Sequence, residues 1–232
     1  MTATDPWVEL LTGDRSLLDR TSTAERVADV LRQRIIEGGL PPGTRLSEGS
    51  AGRALSVSRN TLREAFRLLV HERLLVHEFH RGVFVRVLSV DDVQDLYRTR
   101  RLLEVGAIRC AGTAAPEQIA AVVAEVQAAV QAAAEERWLD VGTANMRFHQ
   151  AITALACSPR LDEIMRQVVA ELRLGFHVMS RPREFHEPYI VLNRGITDLL
   201  SRGEFGEAER LLETYLSEAE AQLVQAYRQM AR

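Results

Sequence analysis

Along residues 22–70 the apolar positions recur three and four apart, the spacing that gathers side chains on one face of a helix. Ser22 followed by Glu25 makes a capping box, and Val27, Val30, Leu31 and Ile35 continue the stripe. Gly38-Gly39 ends this helix, and Pro41-Pro42-Gly43 makes a rigid turn. A short second helix fits residues 47–55, weakened locally by Gly49 and Gly52. After the turn Ser-Val-Ser, residues 59–70 read as a third helix with Leu62, Ala65, Phe66 and Leu69 inward. Past Arg73 the apolar period shortens to two, and LLVHE, FHRG and VFVRV predict a two-stranded hairpin.

Beyond Leu88 the helical period returns. Ser89 and Asp92 form another capping signature, and Pro116 and Pro159 suit first helical positions. The periodicity predicts helices near 90–112, 116–136, 140–157, 159–179, 187–201 and 205–230, with Pro182 and Pro188 bounding the one longer loop. Short connections imply antiparallel neighbours. The expected fold is mainly α, a winged helix-turn-helix over residues 21–88 followed by an antiparallel six-helix bundle over 89–232. Residues 1–20 form an extension in which Trp7, Leu10 and Leu11 allow one short amphipathic turn.

Charge sharpens this division. All 29 basic residues are arginine, and the whole chain carries a net charge of −3. Residues 21–88 hold 11 arginines against 7 acids, while residues 89–232 hold 16 against 21. A basic end joined to an acidic one suits a nucleic-acid contact confined to the first part. No apolar run reaches the ~18–20 residues of a membrane span. The stretch MTATDPWVELLTGDR lacks the basic and apolar regions of a signal peptide, so a cytoplasmic location is expected. Cys110 and Cys157 fall in apolar helical contexts and are expected to be buried thiols.

With the apolar stripe of the third helix inward, Arg59, Asn60, Arg63 and Arg67 face out, the arginines spaced four apart. Such a row can fork onto guanine O6 and N7 in the major groove, or form a solvated face. Ser58 suits the helix cap and Thr61 a phosphate or base contact, while Arg81 and Gly82 would bring the wing to the DNA backbone. His71, His77 and His80 are expected on the surface.

In the bundle, five polar residues fall where apolar ones belong: Arg100, Asn145, His149, Asn193 and Tyr215. Buried polar groups need partners, so five of them on four helices suggest either separately satisfied core positions or one polar cavity open to an effector. Asn145 and His149 lie four apart, the spacing of a helical pair of metal ligands, although an amide stands where a carboxylate would serve better. His149 could also act as a general base. Yet no nucleophile elbow, phosphate loop or paired catalytic carboxylates accompany it, and no enzyme is expected.

The segments GLPPGTRLSE, VSRNTLREAFRLLVHERLL and RGVFV closely resemble the DNA-binding domain of the GntR family of bacterial transcription regulators. The helical remainder resembles the FCD ligand-binding domain of its FadR-type branch. The resemblance implies a homodimer on a palindromic operator, with Arg59 and Arg63 reading guanines and the wing acting through Arg81 and Gly82. One departure is Gly49, where the family usually has a basic residue, which implies altered operator preference or weaker affinity rather than loss of function. Many FCD domains hold a divalent metal with one Asp and three His. The matching positions here are Asn145, His149, Asn193 and Tyr215, so one usual ligand remains and no metal or other cofactor is expected. His177 and His186 are expected near the loop surface rather than as substitutes. Family precedent implies a small organic acid as effector, paired by Arg100, and a repressor as the output. The rival expectation is a bundle that only dimerises.

Overall fold

The computed structural model describes residues 22–179 and 182–230, so the turn expected around Trp7, Leu10 and Leu11 lies outside the described residues. The chain opens with α1 (Thr23–Ile36), where both capping-box bonds between Ser22 and Glu25 form. A short strand, β1 (Arg45–Leu46), leads to α2 (Glu48–Leu55), and α3 spans Arg59–His71. Strands β2 (Leu75–Glu78) and β3 (Gly82–Val85) complete the wing. The sheet has three strands in the order β1-β3-β2, all antiparallel, rather than the two of the expected hairpin. Two residues are too few to show a period in sequence, and only the partner edge of β3 makes Arg45 and Leu46 a strand.

The α2–α3 turn explains why Gly52 of α2 is tolerated. Ser56 takes up the left-handed conformation, and Val57 N–H closes onto Gly52 O at 3.0 Å. A Cβ on Gly52 would stand 3.2 Å from Val57 O, so the tight turn favours the residue that looks poor for helix. Leu62, Ala65, Phe66 and Leu69 of α3 are buried against α1 and the sheet. Arg32 of α1 forks onto Glu72 just beyond α3, with bonds of 2.7 and 2.6 Å.

The remainder is helical. It comprises α4 (Val90–Arg100), a π turn (Arg101–Val105), α5 (Gly106–Cys110) and a 3-10 turn (Ala111–Thr113) in one run. Then come α6 (Pro116–Ala134), α7 (Trp138–Ala154), α8 (Pro159–Gly175), a 3-10 turn (Phe176–Val178), α9 (Pro182–Ser201) and α10 (Phe205–Met230). Helix α9 packs on α6, α7 and α10, and α10 on α4, which closes the bundle. One continuous apolar core runs from Val27 of α1 to Val224 of α10. Among the described residues no helix is long and apolar enough to cross a membrane.

Three expectations are corrected here. Pro188 lies inside α9 rather than before it. Its ring faces solvent, while Phe185, His186 and Tyr189 on the same turns are buried and hold the helix start in place. His186 is therefore a core residue, not a surface one. Cys110 and Cys157 are exposed free thiols: Cys110 is the last residue of α5, and Cys157, with φ 50°, lies in the turn after α7.

Candidate functional site

Two places carry the sequence-derived candidates. On α3, Ser58 Oγ accepts from Thr61 N–H at 3.1 Å and so caps the helix. Arg59, Asn60, Arg63 and Arg67 are exposed, and Thr61 is half-buried. Arg63 meets Glu48 of α2 at 3.4 Å, Arg67 meets Glu64 at 2.6 Å, and Arg81 meets Glu78. Such exposed pairs contribute ~0–1 kcal/mol each, so DNA can displace them cheaply. At the wing tip Arg81 N–H bonds Glu78 O at 3.0 Å, His80 has φ 60° and Gly82 φ 109°. The last value lies where side chains are strained, which is the physical need for glycine there. His71, His77 and His80 are exposed, as is Phe79 beside them.

Inside the bundle the structure brings Arg100, Asn145, His149, Asn193 and Tyr215 together, all at most 5% exposed. They are hydrogen-bonded into one cluster rather than satisfied separately. The residue that closes it is Glu104, 0% exposed and absent from the sequence-derived set. Arg100 Nε donates to Glu104 Oε1 at 2.7 Å, and His149 Nδ1 lies 2.6 Å from Glu104 Oε2. His149 Nε2 is 2.9 Å from the Tyr215 hydroxyl. Asn145 Nδ2 donates to that hydroxyl at 3.1 Å, and Asn193 Nδ2 donates to Asn145 Oδ1 at 2.6 Å.

Proton positions follow from the charges. Burial, aided by Arg100, lowers His149 to about 4, so the ring is neutral at pH 7. Its Nδ1–H then donates to the carboxylate, and Nε2 accepts from Tyr215 O–H. Burial alone would raise Glu104, but Arg100 and His149 reverse this and hold it ionised below its ordinary value. Tyr215 is pushed well above its ordinary value by burial and stays a phenol. The result is a directional chain from Asn193 through Asn145, Tyr215 and His149 to Glu104, with Arg100 as counter-ion. Two buried atoms in it lack a partner: Arg100 Nη2 and Asn193 Oδ1.

A basic helix-turn-helix with a wing, joined to a helical bundle with a polar centre, is matched at both ends by known families. Residues 23–85 match the bacterial regulatory proteins of the gntR family, and residues 95–218 match the FCD domain. The chain belongs to the GntR family. A solved GntR transcriptional regulator from Rhodococcus sp. RHA1 shares 45% identity and a TM-score of 0.84, over 89% of this chain and 100% of that one. The Nta operon transcriptional regulator of Aminobacter aminovorans is 28% identical over 158 residues, 68% of this chain and 75% of that protein. The gluconate operon transcriptional repressor of Bacillus subtilis (strain 168) is 39% identical over 87 residues, 38% of this chain and 35% of that protein.

This GntR-family chain is thus a transcription regulator and not an enzyme. His149 is bonded at both ring nitrogens, to Glu104 and to Tyr215, deep inside the bundle. The same bonds bear on how well these positions would fit a metal. At the four positions matching the family's metal ligands stand two neutral amides, a protonated phenol and an imidazole already bonded at both nitrogens. That donor set does not fit a divalent cation. Among the described residues no group of three or more His, Cys, Asp or Glu side chains could hold one.

Glu104 was legible in principle, since it lies four residues after Arg100 and an i,i+4 pair shares a helix face. Glu104 falls within the π turn Arg101–Val105, where the regular helical period that marks an inward face is interrupted. Arg100 therefore arrives at the cluster with Nε matched by a carboxylate, while its Nη2 has no partner.

Proposed function

We propose that this GntR-family regulator is a homodimeric repressor, released from a palindromic operator by a small organic acid or related anionic metabolite sensed in the bundle. The observation that carries the effector reading is the pair of unpartnered buried atoms, Arg100 Nη2 and Asn193 Oδ1. Buried polar atoms are nearly always bonded, so two orphans in one cluster favour a ligand that supplies both partners. Arg100 Nη2 needs an acceptor, and Asn193 Oδ1 needs a donor. A hydroxy acid offers both. The occupied cluster would favour one arrangement of the π turn over another, and the response can be no larger than the effector's differential affinity for the two. The repressor reading is supported by the function named for the gluconate operon relative.

The DNA side rests on the exposed arginine row of α3. Arg63→Ala is expected to cost ~1–3 kcal/mol on an operator selected from random duplexes and to relax preference at one position. Equal loss on unselected DNA would remove Arg63 from base reading. For the effector side, a panel of C3–C6 hydroxy acids is titrated into the protein–operator complex, with fluorescence anisotropy as readout. At least one is expected to release the DNA from the unaltered protein. Asn193→Leu is expected to bind operator normally and to ignore that acid. Release that persists in the variant would sink the cluster as the sensing site.

The rival reading, a bundle that only dimerises, draws support from one feature. Glu104 already neutralises Arg100, so the cluster holds no net charge to attract an anion. A panel in which no acid releases DNA would favour it.

A further inference from the structure

Away from the bundle's centre, a cavity of about 120 Å³ lies on the seam between the end of α1 and the bundle. Its polar lining is Arg173, His177, His186 and Glu37, the last already bonded by Arg34 and Gln33, and its apolar walls include Ile36, Phe176 and Met179. We propose that this seam pocket binds a short-chain monocarboxylate, at a site separate from the buried polar cluster.

Arg173 supplies the charge. Its Nε donates to Ile36 O at 3.2 Å, and its Nη2 donates to Leu139 O at 3.4 Å and Thr143 Oγ1 at 3.1 Å. These acceptors are all neutral. The nearby Asp140 is bonded by Arg137, and the rim residue Glu37 is paired with Arg34. Burial lowers Arg173 below its ordinary value, the mark of a cation that has given up water without gaining a carboxylate. This contrasts with Arg100, whose counter-ion is built in.

His186 supplies the second group. It is 6% exposed, and its Nδ1 is buried with no partner. Edge-on packing against Phe176, at 5.7 Å and 88°, fixes the ring plane. Gly142 on α7 makes the juxtaposition sterically feasible. A Cβ there would stand 2.8 Å from His186 Nε2 and 3.2 Å from Arg173 Nη1, so any side chain would push these groups out of place. One permanent cation beside a neutral imidazole suits a monoanion rather than a multiply charged phosphate. The apolar walls suit a tail of a few carbons, and the volume admits little more.

Occupancy would reach the DNA-binding domain directly. The last carbonyls of α1 accept from this same set, Ile36 O from Arg173 Nε and Ile35 O from His177 Nε2 at 3.3 Å. A carboxylate that draws the guanidinium toward itself alters the bond between α1 and the bundle.

The test is calorimetric titration of the full chain with sodium butyrate, against sodium phosphate and sodium chloride at matched ionic strength. Saturable butyrate binding at one site per chain is expected, with phosphate weaker by about tenfold or more. Arg173→Gln and His186→Gln are each expected to weaken butyrate by about tenfold. Gly142→Ala, which removes no polar group and serves if Arg173→Gln fails to fold, is expected to do likewise. Asn193→Leu, in the buried cluster, is expected to leave butyrate affinity unchanged. Absence of saturable butyrate heat overturns the proposal, and phosphate binding as tightly overturns the ligand class. Loss of butyrate binding in Asn193→Leu with retention in Gly142→Ala and His186→Gln would move the carboxylate out of the seam and into the cluster.

Discussion

Glu104→Gln is expected to destabilise the chain by ~3–5 kcal/mol, read as a lowered urea midpoint with unchanged slope. The substitution keeps the shape and removes the charge, so Arg100 becomes a buried guanidinium at 1% exposure with no counter-ion. His149 simultaneously loses the acceptor that fixes its tautomer. The double replacement Arg100→Met with Glu104→Gln is expected to recover much of the loss, because removing both charges avoids the desolvation penalty that one alone incurs. A loss below ~1 kcal/mol for the single variant would mean that water reaches the pair and that the cluster is not the closed unit described above.

The second large effect is acid sensitivity. His149 and His186 are both lowered to about 4, each chiefly by burial, with Arg100 and Arg173 respectively adding to the shift. A histidine whose folded value lies below its unfolded one favours the folded state only while neutral. The contribution is complete above pH ~6.5 and is lost as the pH falls from there toward 4. Each ring is expected to remove ~2 kcal/mol of stability at pH 5 relative to pH 7.5. Urea denaturation at the two pH values measures the sum, and His186→Gln is expected to reduce the difference by about half. A pH-independent midpoint between 7.5 and 5 would mean that neither imidazole is desolvated as the packing indicates. Glu104 acts in the same direction at lower pH, since its depressed value makes its protonation a further loss.

Much of the architecture was legible because it depends on local rules. The capping box at Ser22, the stripe Leu62, Ala65, Phe66 and Leu69, and the proline starts at 116 and 159 each act within one element. Periodicity reports what an element buries, and these elements bury what they advertise. The errors have a common origin. Pro188 reads as a helix stop, yet burial of Phe185, His186 and Tyr189 outweighs its local cost. Strand β1 has no period of its own, and both cysteines sit at helix ends that a helical wheel does not mark.

The polar centre divides along the same line. The sequence by itself determined that Arg100, Asn145, His149, Asn193 and Tyr215 share inward faces, because an apolar stripe interrupted by a polar residue is visible without a partner. It also determined the basic row of α3 and the glycine at the wing tip. Tertiary structure alone decided what those residues face. Glu104, within the π turn Arg101–Val105, meets both Arg100 and His149 and ties the polar residues into a charge-matched chain of hydrogen bonds. Packing of three helices likewise sets His186 beside Arg173 across Gly142. The physical reason is that burial and periodicity are properties of one helix, whereas neutralising a buried charge depends on which helices meet and in what register.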